Sequence, residues 1–313
     1  FLKVFLFDGP LDGEVVPGRR RRGKKSKQNN CGGWCPLICA IASGHVEVAT
    51  SLLRDHGASV NCQTTKDFVS LGFPKALAPI YLAAQCAVDP KALVELCIEY
   101  GADINASSAD LGLTPAHVSI IMRNTTGLKV CIEQSGFNVN KAATFNGATP
   151  LSYGAYFGDE GVCQLLLDAG ATKTCMNHHG ASLLNDAANN PGANASMLKL
   201  ICDDGEVDIN QQRYPRNMKW YAIDKLFETL HRTGLDRSDF ASEIANCRGS
   251  TALHEAVFFN HLETVRWLLE NGGKPSLRKR NAMGLTPAAL AKNTGHGEVL
   301  KLLEEAEAAA ESE

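Results

Sequence analysis

Cys31, Cys35 and Cys39, followed by His45, are the first residues whose types could do chemistry, as ligands of a metal ion. Their spacing lacks the two-residue loop that brings two thiolates onto one ion in common zinc sites. They are expected to be structural, as small apolar side chains. His178 and His179 are adjacent, and adjacent side chains at a hairpin tip point to different sides, which argues against shared ligation. His117 and His254 are isolated candidates for general acid–base work. No Gly-x-Ser-x-Gly elbow and no Gly-rich phosphate loop with its Lys occurs. The pairs Asp203–Asp204 and Glu304–Glu305 read as solvated helix-end and tail carboxylates. No catalytic constellation results, so no enzymatic activity, cofactor, metal ion or small-molecule substrate is expected.

The elements that would position these residues repeat along the chain. A helix-start signature recurs as GWCPLI, LAPIY, GLTPAH, GATPLS, GASLLN, GSTALH and GLTPAA. Its anchors are Pro36, Pro79, Pro115, Pro150, Leu183, Ala252 and Pro287, at steps of 43, 36, 35, 33, 69 and 35 residues. A second signature follows each of the first six, as in LLRDHGASVN, CIEYGADIN and LLLDAGAT. The physics of one unit is local. A Thr hydroxyl caps the orphan amides of a helix, and Pro at the first helical position gives up an N–H that had no partner. Small residues at Ala40, Ala83, Ala155 and Ala256 let two short helices approach closely. Gly57, Gly101, Gly170 and Gly272 end the second helix where a left-handed cap is needed. One helix pair cannot bury its apolar face, so the units must stack.

These signatures resemble the ankyrin repeat family, whose unit starts a helix on Thr-Pro-Leu-His and exits through Gly-Ala-Asp-Val-Asn. The resemblance covers about residues 32–303 and implies an all-α solenoid of stacked helix-turn-helix units with hairpin loops. Units are expected near 32–61, 75–105, 111–140, 146–176, 179–210, 247–276 and 281–303, within a repeat domain spanning 31–303. An extension with a basic arm precedes it (1–30), and an acidic tail follows (304–313). In this frame Cys35 stands where the capping Thr belongs, Cys39 lies on the first helix, and His117 and His254 bond backbone groups between repeats. Two interruptions break the pattern. A stretch at 62–75 lengthens the first hairpin, and 211–246 lacks a clean unit. In the latter, Trp220, Ile223, Phe227 and Leu230 recur at helical spacing. A degenerate repeat packing in line is preferred there over a protruding insertion.

The resemblance also implies where a partner would bind. In ankyrin proteins contacts come from the hairpin tips and inner helix faces that line a concave groove. Carried over residue by residue, the tip positions are Trp34, Leu113, Phe145, Asn146, His178, His179 and Arg248, and the helix positions Met122, Tyr156, Phe157, Phe258 and Phe259. Aromatic residues make up only 7% of the chain, so two aromatic pairs at groove positions are expected to anchor a partner. The implied function is a non-catalytic scaffold or adaptor subunit that holds one or more proteins, within a larger complex.

Charge adds a second reading. The net charge of −3 conceals an arm, Arg19, Arg20, Arg21, Arg22, Lys24, Lys25 and Lys27, that carries +7, leaving −10 elsewhere. That arm could tether the chain to nucleic acid or an anionic membrane surface. Eleven cysteines without paired spacing point to a reducing, intracellular compartment, cytoplasm or nucleus. The FLKVFLF opening is too short for the core of a signal peptide, and Asn105, Asn124 and Asn194 begin sequons of little weight.

Overall fold

The computed structural model describes residues 35–63, 78–109 and 111–312, and all regular structure among them is helical. The helices come in pairs: α1 (Pro36–Ala42) with α2 (Val46–Arg54), α3 (Pro79–Gln85) with α4 (Pro90–Glu99), α5 (Pro115–Ile121) with α6 (Thr125–Glu133). Next come α7 (Pro150–Phe157) with α8 (Glu160–Asp168), α9 (Leu183–Ala188) with α10 (Ala195–Cys202), and α11 (Met218–Thr233) with α12 (Asp239–Cys247). The last are α13 (Ala252–Phe258) with α14 (Leu262–Leu268), and α15 (Pro287–Thr294) with α16 (Gly297–Ser312). The first helix of each unit begins as its residues dictate. The hydroxyls of Thr114, Thr149, Ser182 and Thr286 accept from amides of the first turn, and Pro opens α1, α3, α5, α7 and α15. Asn124, Asp159 and Asn194 cap the second helices of their units in the same way.

His117 and His254 each serve two repeats at once. Nδ1 of His117 accepts from the Thr114 amide at 3.1 Å, and Nε2 lies 3.2 Å from the Ala148 carbonyl of the next unit. His254 repeats this with Thr251 and Leu285, at 3.3 and 3.2 Å. Burial lowers both imidazoles to a pKa of about 4. A neutral ring whose Nδ1 accepts leaves Nε2–H to donate, which suits the carbonyl opposite. These histidines are structural.

The segment 211–246 does not pack in line. Helices α1, α3, α5, α7, α9, α13 and α15 contact one another in that order, so α9 stacks directly on α13. A ladder of asparagines says the same. Nδ2 of Asn105 donates to the Gly136 carbonyl 31 residues on, and Asn140 to Gly170, 30 residues on. Asn210 makes the equivalent bond to Gly272 across 62 residues. The α11–α12 pair is therefore an insertion at a hairpin tip, and the in-line expectation is corrected. Stacking is complete without it, because the flanking units already bury each other's apolar faces.

At the chain's end a further boundary moves. Helix α16 runs without a break from Gly297 to Ser312, so the acidic stretch after 303 is the continuation of the last helix. Trp34, the basic arm 19–27 and residues 64–75 of the lengthened first hairpin lie outside the described residues.

Candidate partner-binding groove

The hairpin tips are joined into a continuous backbone strip along one side of the stack. The Phe145 amide donates to Leu111 at 3.1 Å, His178 to Asn146 at 2.6 Å, and Arg216 to His178 at 2.9 Å. Beyond the insertion, Gly249 donates to Arg213 at 2.7 Å and Ala282 to Arg248 at 2.8 Å. The chain thus leaves the strip after Arg216 and rejoins it at Arg248, with α11 and α12 between. Gly180 shows how close this approach is. Its φ is +75°, and a Cβ there would sit 2.0 Å from the Tyr214 carbonyl oxygen.

The inserted pair is pinned by its own buried groups. Trp220 is 1% exposed, with its ring 4.0 Å from that of His179 and edge-on to Phe145 at 5.3 Å. Asp224 Oδ1 lies 3.3 Å from Nδ1 of His179, and Glu228 accepts from Nε and Nη2 of Arg248 at 2.5 and 2.8 Å. Phe227 meets Phe240 edge to face at 5.3 Å and ties α11 to α12. Burial lowers the pKa of His179, against the raising effect of Asp224. The imidazole is thereby biased toward its neutral form.

Helix α12 lies over the inner helices α7 and α9 and closes a small, open-mouthed pocket of about 80 Å³, room for the tip of one side chain and not for a drug-sized ligand. Tyr153, Tyr156 and Phe157 form one wall, Asp186 and Asn189 the floor, and Glu243, Ile244 and Cys247 the wall contributed by the insertion. Arg213 also lines it, with Nη1 2.8 Å from Glu255 Oε1, an oxygen that also takes the Ser250 hydroxyl at 2.6 Å. Asp186 Oδ2, Asn189 Oδ1 and Arg213 Nε are buried there without a hydrogen-bond partner. Burial pushes the Asp186 carboxyl up to about 8, while Arg213 and Ser152 pull the other way. The Tyr156 phenol is raised by burial first, then by Glu243 and Asp186. Burial likewise drives the Cys247 thiol well above its usual value, so it is no nucleophile.

The positions carried over from sequence divide in two. Tyr156, Phe157 and Asn146 line the pocket, and Phe145 and His179 are covered by Trp220. Met122, His178, Phe258 and Phe259 are half-buried, with the Phe258 and Phe259 rings 5.1 Å apart. Arg248 is half-buried and spent on Glu228. Leu113 is 0% exposed and offers no surface to a partner, whereas His179, 6% exposed and covered by Trp220, keeps only an edge on the pocket lining. Leu113 belongs to the core, where only its carbonyl serves the Tyr81 hydroxyl, at 2.9 Å. Asn190, near the end of α9, is buried and donates to the Ala155 and Gly158 carbonyls. Sequence reasoning missed Asp186, Asp224, Glu228 and Glu243, since a lone acid in a helix reads as a solvated face, and Arg213, since a lone base in a loop does the same.

No group of three or more His, Cys, Asp or Glu side chains is placed to hold a metal ion among the described residues. Cys35 caps α1 and its sulfur lies 3.3 Å from that of Cys62, whereas Cys39 is exposed. No helix among the described residues is long and apolar enough to cross a membrane.

Comparison with known proteins agrees with this architecture. A family model described as ankyrin repeats in three copies matches residues 80–177 and 219–312, and an ankyrin repeat model matches 32–65. The second of the longer matches opens inside α11. A similar protein is the ANK repeat-containing protein nipk-1 of Caenorhabditis elegans, 33% identical over 78 residues, 25% of this chain and 13% of that protein. With the helix pairs, the asparagine ladder and the capped Thr-Pro starts in place, and family models covering more than half of it, the chain belongs to the ankyrin repeat family.

Proposed function

We propose that this chain is a non-catalytic scaffold or adaptor subunit that grips a protein partner along its concave side, through the pocket at Tyr156 and Phe157. Ankyrin repeats are in general protein–protein interaction modules. The observation that carries this reading is the pocket itself. It combines aromatic walls with buried polar atoms that lack partners. Its charges favour a basic side chain of the partner. Glu243 supplies a carboxylate to the pocket lining, and Arg213, the one cation among the lining residues, is already bonded to Glu255. A guanidinium or ammonium entering there would ionise Asp186 and satisfy its free oxygen. Phe258 and Phe259 extend the apolar contact on the unit beyond the insertion, and Met122 on the unit before α7. The free thiols of the described cysteines fit a reducing compartment.

The test is partner capture. Tyr156→Ala and Phe259→Ala, alone and together, should weaken binding of the co-purifying partner about tenfold or more, with Tm within a few degrees of wild type. Capture at wild-type affinity by the double variant would sink the groove reading. The tether reading rests on the arm 19–27, outside the described residues, and no observation in the structure favours it.

A further inference from the structure

Five of the seven large apolar side chains that stand exposed among the described residues lie between 214 and 235. They are Tyr214, Met218, Tyr221, Leu226 and Leu235, with Met218 and Leu235 each 78% exposed. Single exposed apolar residues are ordinary, but a cluster marks an interaction site, and three of the five, Met218, Tyr221 and Leu226, lie on α11. On α11 the cluster has an order. Met218, Ala222 and Leu226 are four apart and form one exposed row, and Tyr221, Lys225 and Thr229 form the row beside it.

The helix also sorts its charges. Both of its acids, Asp224 and Glu228, are buried, at 1% and 2% exposed, against His179 and Arg248. All of its cations, Lys219, Lys225 and Arg232, face outward with Arg216 just before them. The outer face of α11 therefore carries apolar and positive groups and no negative one. The Arg248 guanidinium, 5.6 Å from the Tyr221 ring, braces that ring from below.

We propose that the outer face of α11 is a second docking surface, and that its occupant is an acidic amphipathic helix of a partner protein. The proposal builds on the reading of this chain as an interaction module but uses the opposite side of the insertion from the groove pocket. An apolar row at four-residue spacing is what a ridge needs to pack against another helix. Carboxylates flanking the partner's apolar stripe would meet Arg216 and Lys219. Other anionic surfaces fit less well. A membrane-surface helix must immerse a broad apolar face, and α11 has already turned Trp220 and Phe227 onto the protein. Nucleic acid needs several cations on phosphates, and here Lys225 is bonded to Glu228 and Arg232 to the Ala282 carbonyl.

The experiment is a display selection on the full chain, with a library of helical peptides whose exposed positions are drawn equally from Glu, Lys, Ala and Leu. Selected peptides should be net negative, with a Leu or Ala stripe flanked by Glu. Their affinity should fall at least tenfold on Met218→Ser with Leu226→Ser, and again on Lys219→Glu. These positions are exposed, so thermal unfolding of the variants should match wild type. Tyr156→Ala should leave peptide binding unchanged, which separates this face from the groove. Selection of neutral or basic peptides, or of peptides indifferent to Met218 and Leu226, overturns the proposal. So does capture of phosphatidylserine vesicles or duplex RNA, but not of acidic peptides, by the same residues. Loss of partner capture on Tyr156→Ala with peptide binding intact would support both surfaces. Failure of the groove test alone would leave this one standing.

Discussion

His117 and His254 show how much a single side chain can be asked to do in a repeat array. Each closes the start of its own helix and reaches the carbonyl of the next unit, and it can do both only as a neutral ring. The folded chain holds them near pKa 4, and the unfolded chain protonates them near 6.5. Their contribution is therefore complete above pH 6.5 and drains away as the pH falls toward 4. The loss is on the order of 3 kcal/mol for each histidine. Urea unfolding at pH 7 and pH 4.5 should show it, and His117→Gln should be weaker at pH 7 yet lose less on acidification. An equal loss in the variant would place the acid sensitivity elsewhere. Asp186 has the opposite sign. Its folded pKa of about 8 lies above its ordinary 3.8, so the folded state holds a proton that the unfolded chain releases. Stability from this group is lost as pH rises from about 4 through 8. Asp186→Asn should flatten that decline, with a gain on the order of a few kcal/mol at pH 9. No gain at pH 9 would mean that Arg213 compensates the charge.

At the scale of elements, the α11–α12 insertion is the feature that sets this array apart. Its anchor is Trp220, closed between His179 and Phe145. Trp220→Ala should cost about 3–5 kcal/mol at that site. Amide exchange should accelerate in 217–247 and stay slow in α7, α9 and α13, which stack without the insertion. Uniform acceleration across the repeats would show that the insertion is part of the stack. The helical spacing of Trp220, Ile223, Phe227 and Leu230 was legible in the sequence. What covered that face was not, because periodicity reports an apolar stripe and is silent about its partner. Asp224 and Glu228 were illegible for a similar reason. Their burial depends on His179 and Arg248, which the fold brings in from other turns of the chain.

For the whole molecule, the repeat stack is continuous from α1 to α16 and the insertion rides on it. Joining Arg213 to Arg248 by a short Gly-Ser link, with 214–247 removed, should leave a folded protein. Its unfolding should remain one cooperative transition, and circular dichroism should lose only the signal of two helices. Two transitions, or a larger loss of helix, would make the insertion an integral unit. The same deletion takes Glu243, Ile244 and Cys247 from the pocket and the whole outer face of α11, so it should abolish acidic-peptide binding outright.

By itself the sequence determined the repeat, its helix pairs, their caps and the acidic balance of the body. These follow from short-range rules: a Thr hydroxyl finds its own helix's amides, and a glycine ends its own helix. It also exposed the break at 211–246, and the family resemblance offered Tyr156 and Phe157 as groove candidates. Only the tertiary structure decided that this break folds back over the inner helices, that Leu113 is sealed from any partner, and that Asp186 and Arg213 share a pocket. Those outcomes depend on which surfaces meet across tens of residues. A buried charge pair leaves no local pattern, because each partner is chosen by the other's position in space.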